Sequence, residues 1–145
     1  MAIILAISLM VTPMADTGEQ VLSREDHRLF TQIIEAEAHP SWGIDGYTLL
    51  AQTVMNQLET DKYGDTIREV LLFGNNYSVY TNGRYSRVEV SDKARVAVNL
   101  AIRHSDYMNY GQLYFCTLSH LRRNPNGLHG RSEKVCEYRN VAFFK

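Results

Sequence analysis

Apolar side chains recur every three or four residues in four segments of the chain, and this spacing predicts four amphipathic helices. The first helix is expected to begin at Ser23, a good N-cap residue, and to end at His39, because a residue that precedes proline avoids helical backbone angles. The other three helices are predicted at residues 47–58, 66–73 and 92–104. Polar, turn-rich loops are expected at residues 40–46 and 74–87.

The pattern changes after residue 111, where two short runs rich in apolar and aromatic residues, 112–117 and 138–144, predict β-strands. The stretch between them, residues 118–137, is rich in basic side chains and contains the turn sequence Asn-Pro-Asn-Gly. A long loop is therefore expected to join two antiparallel strands. Together the elements predict an α+β domain that is mostly helical, with a small C-terminal antiparallel β element.

The first 22 residues differ from the rest of the chain. Residues 2–11 form an uncharged apolar run, which has the length of a signal-peptide core and is too short to span a bilayer as a helix. Ala15 is a candidate for the cleavage position. Two features argue against a signal peptide: no Lys or Arg precedes the apolar run, and Pro13 lies close to the proposed cut. We interpret residues 1–22 as a signal-peptide-like segment and linker, and residues 23–145 as the folded domain. An uncleaved anchor and an apolar segment packed on the domain remain alternatives.

Composition and charge narrow the range of functions. The chain has 45% hydrophobic and 21% charged residues, which is typical of a soluble globular domain. Its net charge of -1 provides no overall basic field, so nucleic acid is not expected as a partner. The five histidines are scattered, and Cys116 and Cys136 lack a Cys-x-x-Cys spacing, so neither a metal site nor a cofactor is predicted. A disulfide between these cysteines and two reduced thiols are both compatible with the sequence.

Glu37 is the sharpest candidate for chemistry. It follows Phe30, Ile33 and Ile34 at helical spacing, which places a carboxylate on the apolar face of the first helix. Burial and the negative end of the helix dipole both raise the pKa of such a group, as a general acid for glycosidic cleavage requires. A structural glutamate paired with a cation or a tyrosine is the alternative. Glu35 falls on another helix face, where it can stay solvated.

A second carboxylate would define the mechanism further, because both inverting and retaining glycosidases use a pair of them. Asp45, in the loop after Glu37, is the only plausible partner, since Asp65 and Asp92 are better explained as residues at helix starts. The sequence offers no strong second carboxylate, and no Gly-x-Ser-x-Gly motif supports serine chemistry.

Short blocks along the chain, taken in order, resemble the cell wall hydrolase family of SleB/CwlJ type, known from spore cortex-lytic enzymes. The blocks are Ala36-Glu37-Ala38, Gly46, Asn56, Asn76-Tyr77-Ser78, Asn82-Gly83, Leu113-Tyr114-Phe115 and an ending that starts at Asn140. The resemblance covers about residues 26–145. It departs from the family pattern at Gln57, where the family has Arg, at Asn76, where it has Gln, and at Val141, where it has His.

The resemblance implies a lysozyme-like helical fold and cleavage of peptidoglycan glycan strands between N-acetylmuramic acid and N-acetylglucosamine. It implies that Glu37 is the catalytic acid and base of a lytic transglycosylase. A muramidase-type hydrolase with a second carboxylate or water site, and a non-catalytic module for wall binding or assembly, are the alternatives. The residues expected to bind substrate or support the cleft are Asn56, Asn76, Tyr77, Ser78, Tyr80, Tyr114 and Asn140.

Such an activity predicts a protein that is secreted or held in the cell envelope, with peptidoglycan as its partner and no stable membrane span. The basic stretch before the last strand offers a contact for anionic wall polymer through Arg122, Arg123, Arg131, Lys134 and Arg139. A solvated loop is the alternative, because Glu133 and Glu137 dilute the positive charge.

Overall fold

The computed structural model describes residues 22–145 of the chain. The predicted signal-peptide-like segment, with its apolar run at residues 2–11, lies outside the described residues. So does the linker that follows it, up to residue 21. Within the described part, no helix combines the length and the apolar character needed to cross a membrane.

The described residues form an α+β domain that is mostly helical, which confirms the predicted fold class. In chain order its elements are α1 Arg24–Glu37, α2 Ile44–Leu58, α3 Ile67–Leu72, α4 Ser78–Thr81, a 3-10 turn Arg84–Arg87, α5 Asp92–Arg103, β1 Tyr114–Thr117, α6 Leu118–Arg123, α7 Leu128–Arg131, β2 Lys134–Tyr138 and β3 Val141–Phe144. The four predicted helices correspond to α1, α2, α3 and α5, and α2 begins at Ile44 rather than at residue 47.

The core forms where α2 packs against α1, α3 and α5. Small side chains on α5, Ala97 and Ala101, are fully buried and allow α2 to approach closely. The helix starts follow the predicted caps: the Ser23 side chain accepts a hydrogen bond from the Asp26 N–H at 3.0 Å, and Ser91 caps α5 in the same way. Because α1 is fixed on this core, the position of its last residue, Glu37, is also fixed.

The prediction of a single strand over residues 138–144 is wrong. The chain turns within this stretch: Tyr138 ends β2, Val141 begins β3, and the two residues pair with each other across the turn. The sheet therefore has three antiparallel strands in the order β1-β3-β2. The predicted loop at residues 118–137 contains α6, α7 and β2, and the loop at residues 74–87 contains α4 and the 3-10 turn.

Cys116 and Cys136 are free thiols, so the disulfide that the sequence left open is not formed. Cys116 lies on β1 opposite Ala142, and Cys136 lies on β2 opposite Phe143. Since β3 runs between them, the two cysteines are separated by two strand spacings, about 10 Å. A disulfide requires Cα atoms about 4.4–6.8 Å apart. Burial raises the pKa of both thiols.

Candidate active site

Glu37 is the last residue of α1, and its carboxylate is half-buried beside the core. The apolar neighbours that predicted this position, Phe30, Ile33 and Ile34, are fully buried. Burial raises the pKa of Glu37, while the backbone N–H of Val79 and the positive charge of Arg84 act in the opposite direction. Loss of hydration is thus the main cause of the raised pKa, and it acts in the direction that the helix pattern predicted.

Two open clefts meet at Glu37. The first, called the Trp42 cleft, has a volume of about 460 Å³ and is lined by Trp42, Arg84 and Asn140 among others. The second, called the Lys62 cleft, has a volume of about 600 Å³ and is lined by Lys62 and Tyr114 among others. Both clefts share the side chains of Glu37, Phe115, His120 and His129. The two therefore form one continuous groove with the carboxylate near its middle, the shape that an extended polymer requires.

Among the residues that line these two clefts, all within the described part of the chain, Glu37 is the only carboxylate. Asp45, the candidate partner, lies in the first turn of α2, accepts a hydrogen bond from the Tyr107 hydroxyl at 2.6 Å and lines neither cleft. The described lining of the groove therefore contains a single carboxyl group.

Glu35, on another face of α1, is half-buried and hydrogen-bonded, a role that the sequence did not predict. Its carboxylate accepts hydrogen bonds from the Ser91 N–H at 2.9 Å and the Ser91 hydroxyl at 2.6 Å. The Tyr47 hydroxyl donates a third bond at 3.3 Å. The Glu35 carboxylate thus connects α1 to the start of α5 through hydrogen bonds, while Glu37 faces the groove.

A hydrogen-bond network around Gln57 supports the floor of the Lys62 cleft. The amide nitrogen of Gln57 donates to the Leu113 carbonyl at 2.7 Å. Its amide oxygen accepts from the Asn76 side chain at 3.0 Å and from the Tyr77 hydroxyl at 2.9 Å. Tyr77 is almost fully buried, and burial followed by the negative charge of Glu37 raises its pKa well above the ordinary value. The network ties α2, the segment before α4 and the start of the sheet into one rigid floor.

The structure brings four of the seven predicted substrate-binding residues to the groove. Asn76, Ser78 and Tyr114 line the Lys62 cleft, and Asn140 lines the Trp42 cleft. Lys62 donates a hydrogen bond to the Tyr114 hydroxyl at 3.0 Å, which fixes both polar groups at the cleft wall.

The other three lie away from the lining. Tyr77 is buried beneath the groove, as described above. Tyr80 packs against Tyr85 with ring centroids 5.1 Å apart. Asn56 is buried in α2, where its amide donates to Asn109 and to the Gln112 carbonyl, both at 2.9 Å. These side chains stabilise the segments that carry the groove rather than facing into it.

The sequence suggested His120 only as a conceivable partner of Cys116 in nucleophilic chemistry, and it did not place His120 or His129 beside Glu37. The two rings lie edge to face, with centroids 5.8 Å apart, and both line the groove that contains Glu37. Burial, and secondarily the charge of His120, lowers the pKa of His129, which therefore favours the neutral form. The sequence spacing of the two histidines does not indicate that they are neighbours. They are brought together by α6 and α7, in a stretch that was predicted to be a loop.

Comparisons with known proteins agree with this fold. The family model described as Cell Wall Hydrolase matches residues 43–144, and the chain belongs to that family. The match begins six residues after Glu37, so the assignment of that carboxylate rests on the helix pattern, the geometry of the groove and the resemblance of its Ala-Glu-Ala block. The membership identifies the chain as an enzyme of the bacterial cell wall and indicates an extracytoplasmic role.

Two solved structures share the fold. The catalytic domain of the germination-specific lytic transglycosylase SleB from Bacillus anthracis superposes with a TM-score of 0.72 at 15% identity, covering 86% of this chain and 98% of that one. The catalytic domain of the Bacillus cereus SleB protein gives a TM-score of 0.70 at 15% identity, covering 85% and 91%. No curated protein matches the sequence.

Proposed function

We propose that this protein cleaves peptidoglycan glycan strands between N-acetylmuramic acid and N-acetylglucosamine as a lytic transglycosylase. The observation that carries the proposal is the position of Glu37, the one carboxylate lining a groove that extends to both sides of it. Burial raises its pKa, so the group keeps a proton at higher pH than an ordinary carboxyl. The likeness to the catalytic domain of the Bacillus anthracis lytic transglycosylase SleB supports the same reaction class.

A single carboxyl group is sufficient for this reaction. Glu37 donates its proton to the glycosidic oxygen as the bond from C1 of the muramyl sugar breaks. The resulting carboxylate then accepts the proton of the muramyl C6 hydroxyl, whose oxygen bonds to C1 and closes a 1,6-anhydro ring. No water is consumed, and Glu37 ends protonated as it began. A hydrolase would need a second group to activate water or to act as the nucleophile, as in glycosidases with two carboxylates.

The two clefts provide places for sugars on both sides of Glu37. In the Lys62 cleft, Asn76, Ser78 and Tyr114 offer hydrogen-bonding groups suited to sugar hydroxyl and acetamido groups. In the Trp42 cleft, Trp42 and Asn140 offer an aromatic wall and an amide. Tyr77 acts as a positioning residue beneath the floor, through its hydrogen bond to Gln57.

Digestion of purified peptidoglycan, followed by mass spectrometry of the products, tests the proposal. The wild-type protein is expected to release muropeptides that end in 1,6-anhydro-muramic acid, and Glu37→Gln is expected to release none. Asp45→Asn is the matched control: Asp45 is a carboxylate outside both clefts, so its replacement should leave product formation intact. Both variants should retain the wild-type circular dichroism spectrum.

Two results would contradict the proposal. Products with free reducing ends would indicate hydrolysis and a water site that the groove geometry does not identify. Sacculus binding without turnover by the wild-type protein would indicate a wall-binding module.

We also propose that residues 23–145 form the catalytic domain, that residues 1–22 direct export, and that the protein acts in the secreted fraction or cell envelope. An apolar run of signal-peptide length at residues 2–11 and the extracytoplasmic role of the family support this. Fractionation of expressing cells with N-terminal sequencing of the mature protein is the test. Recovery of the uncleaved chain in the cytosol would contradict it.

A further inference from the structure

A third cleft continues the groove beyond Trp42. It has a volume of about 590 Å³, and two of its lining residues are Arg122, from α6, and Arg139, from the turn between β2 and β3. We call it the arginine cleft. It shares His39, Trp42 and Asn140 with the Trp42 cleft, so the two openings adjoin. A molecule bound beside Glu37 can therefore extend a branch into the arginine cleft.

The arginine cleft is positively charged and has no carboxylate in its lining. The acidic residues that dilute the positive charge of this segment in sequence are paired elsewhere: Glu137 with Lys134, and Glu133 with Lys145 at 3.3 Å. Arg122 and Arg139 have no ion pair within residues 22–145, the part of the chain that the structure describes. No described carboxylate therefore competes with an anionic ligand for either guanidinium group.

The backbone at Arg139 is a second, independent observation. Arg139 has a φ angle of 56°, in the left-handed region that glycine and asparagine adopt most readily. It occupies the first position of the two-residue turn that joins β2 to β3, where a glycine would fit without strain. A long basic side chain held at such a position beside a cleft is the kind of outlier that marks a binding role.

We propose that the arginine cleft binds a carboxylate of the stem peptide carried by the muramyl residue next to the cleaved bond. The inference rests on the proposed function, because it assumes that a muramyl residue sits beside Glu37. The stem peptide branches from the lactyl group of that sugar and carries free carboxyl groups. Guanidinium groups bind carboxylates through paired, charge-assisted hydrogen bonds. The cleft thereby selects strands that bear stems over strands without them.

Binding in the Glu37→Gln background tests this inference independently of turnover. Two soluble glycan preparations from hydrofluoric-acid-treated walls are compared: one with native stems, and one whose carboxyl groups have been converted to methylamides. The native strands are expected to bind about tenfold more tightly, a ratio that corresponds to about 1.4 kcal/mol. Adding Arg122→Gln is expected to abolish this preference by weakening only the binding of native strands.

Two further variants sharpen the test. Arg123→Gln removes a neighbouring positive charge that lines none of the three clefts, so it should keep the preference. Arg139→Gly relieves the left-handed backbone, so it should lose the preference without any decrease in melting temperature. In the wild-type protein with active Glu37, the methylamide strands should show a raised KM and little change in kcat.

The outcomes separate the two proposals. Equal binding of native and methylamide strands, or an equal loss with Arg122→Gln and Arg123→Gln, would overturn the inference even if anhydro products form. A preference that appears only with walls retaining phosphate polymer would also overturn it, because the ligand would then be a phosphate. Absence of turnover together with an Arg122-dependent preference would contradict the proposed reaction and leave the carboxylate site supported.

Discussion

The raised pKa that the proposed function needs at Glu37 works against the stability of the fold at neutral pH. Burial raises its pKa above 4.5, so the folded protein binds this proton more tightly than the unfolded chain does. The stabilisation from the proton is fully present below the unfolded pKa and is lost as pH rises through the folded pKa. A neutral side chain of the same shape avoids this loss.

Glu37→Gln is therefore expected to melt at a higher temperature than the wild type at about pH 7, while losing activity. The two melting temperatures should converge at and below pH 4.5, the ordinary carboxyl value. Calorimetry across the pH range provides the measurement. A difference that is independent of pH would show that packing, and not the proton, separates the two proteins.

Gln57 and Asn76 illustrate what a residue-by-residue comparison of motifs misses. Each departs from the pattern of the family that the sequence resembles, and the structure places them in direct contact, with the Asn76 amide donating to Gln57 at 3.0 Å. The two departures therefore form one polar pair, which is not apparent in the sequence because 19 residues separate them. The same Gln57 oxygen also satisfies the buried Tyr77 hydroxyl.

Gln57→Ala is expected to lower the free energy of unfolding by about 1–3 kcal/mol, the penalty for leaving a buried polar group without a partner. Tyr77→Phe in the Gln57→Ala background should then cost less than it does in the wild type, because the orphaned hydroxyl is gone. Urea unfolding of the four proteins of this cycle measures the coupling. Strictly additive losses would refute the assigned hydrogen bond.

At the level of elements, the contacts of Glu35 connect two helices that periodicity predicts separately. Its carboxylate accepts two hydrogen bonds from Ser91, the N-cap of α5. Glu35→Ala is expected to destabilise the protein by about 1–2 kcal/mol, since Ser91 loses its acceptor at the start of α5. Glu35→Gln, which keeps one acceptor oxygen, should fall between the alanine variant and the wild type.

Urea unfolding with an unchanged m-value would identify a loss of stability rather than a change in compactness. If Glu35→Ala unfolds at the wild-type midpoint, the link between α1 and α5 contributes nothing measurable. The comparison with Glu37→Gln is informative in itself. Two carboxylates on one helix, two residues apart, should respond to neutralisation with opposite signs.

The helices and the presence of a small antiparallel sheet were predictable, but the division of residues 138–144 between β2 and β3 was not, for physical reasons. The apolar periodicity of α1, α2 and α5 reflects one buried face against the core, and the predicted caps at Ser23 and Ser91 are confirmed. In β3, by contrast, all four residues are buried, so no alternation separates it from its neighbours. Its turn with β2 contains Arg139 in place of a typical hairpin glycine.

For the whole molecule, the sequence predicted the burial side of Glu37, the proposed acid, but only part of the groove around it. Glu37 was identifiable because the spacing of apolar residues along its own helix shows that it lies on the apolar face. His120 and His129 lie on α6 and α7 of the C-terminal segment, and Trp42 contacts Tyr138 of β2, so the place of all three in the groove depends on contacts between that segment and the helices. Such contacts depend on tertiary packing between distant parts of the chain, which a periodic pattern does not encode.

Gly46 shows how that packing constrains the sequence. A Cβ atom at Gly46, in the first turns of α2, would lie 2.5 Å from the Tyr138 ring on β2 and 2.9 Å from Trp42. The helix and the sheet therefore meet at a position where only a hydrogen atom fits. The same two aromatic rings lie edge to face, 5.5 Å apart, and Trp42 lines the groove beside Glu37. A glycine in a helix thus sets the position of a cleft wall.

Gly46→Ala is expected to lower the free energy of unfolding by about 1–3 kcal/mol, because the methyl group forces both rings to move. It should also raise KM more than it lowers kcat, since Trp42 shifts while Glu37 stays fixed on α1. Gly43→Ala is the matched control, as its Cβ would meet the Tyr138 hydroxyl at an ordinary 3.4 Å. Thermal melts and muropeptide release measure both effects. Equal stability of the two alanine variants would mean that α2 and the sheet can separate at no cost, and that the wall does not depend on this contact.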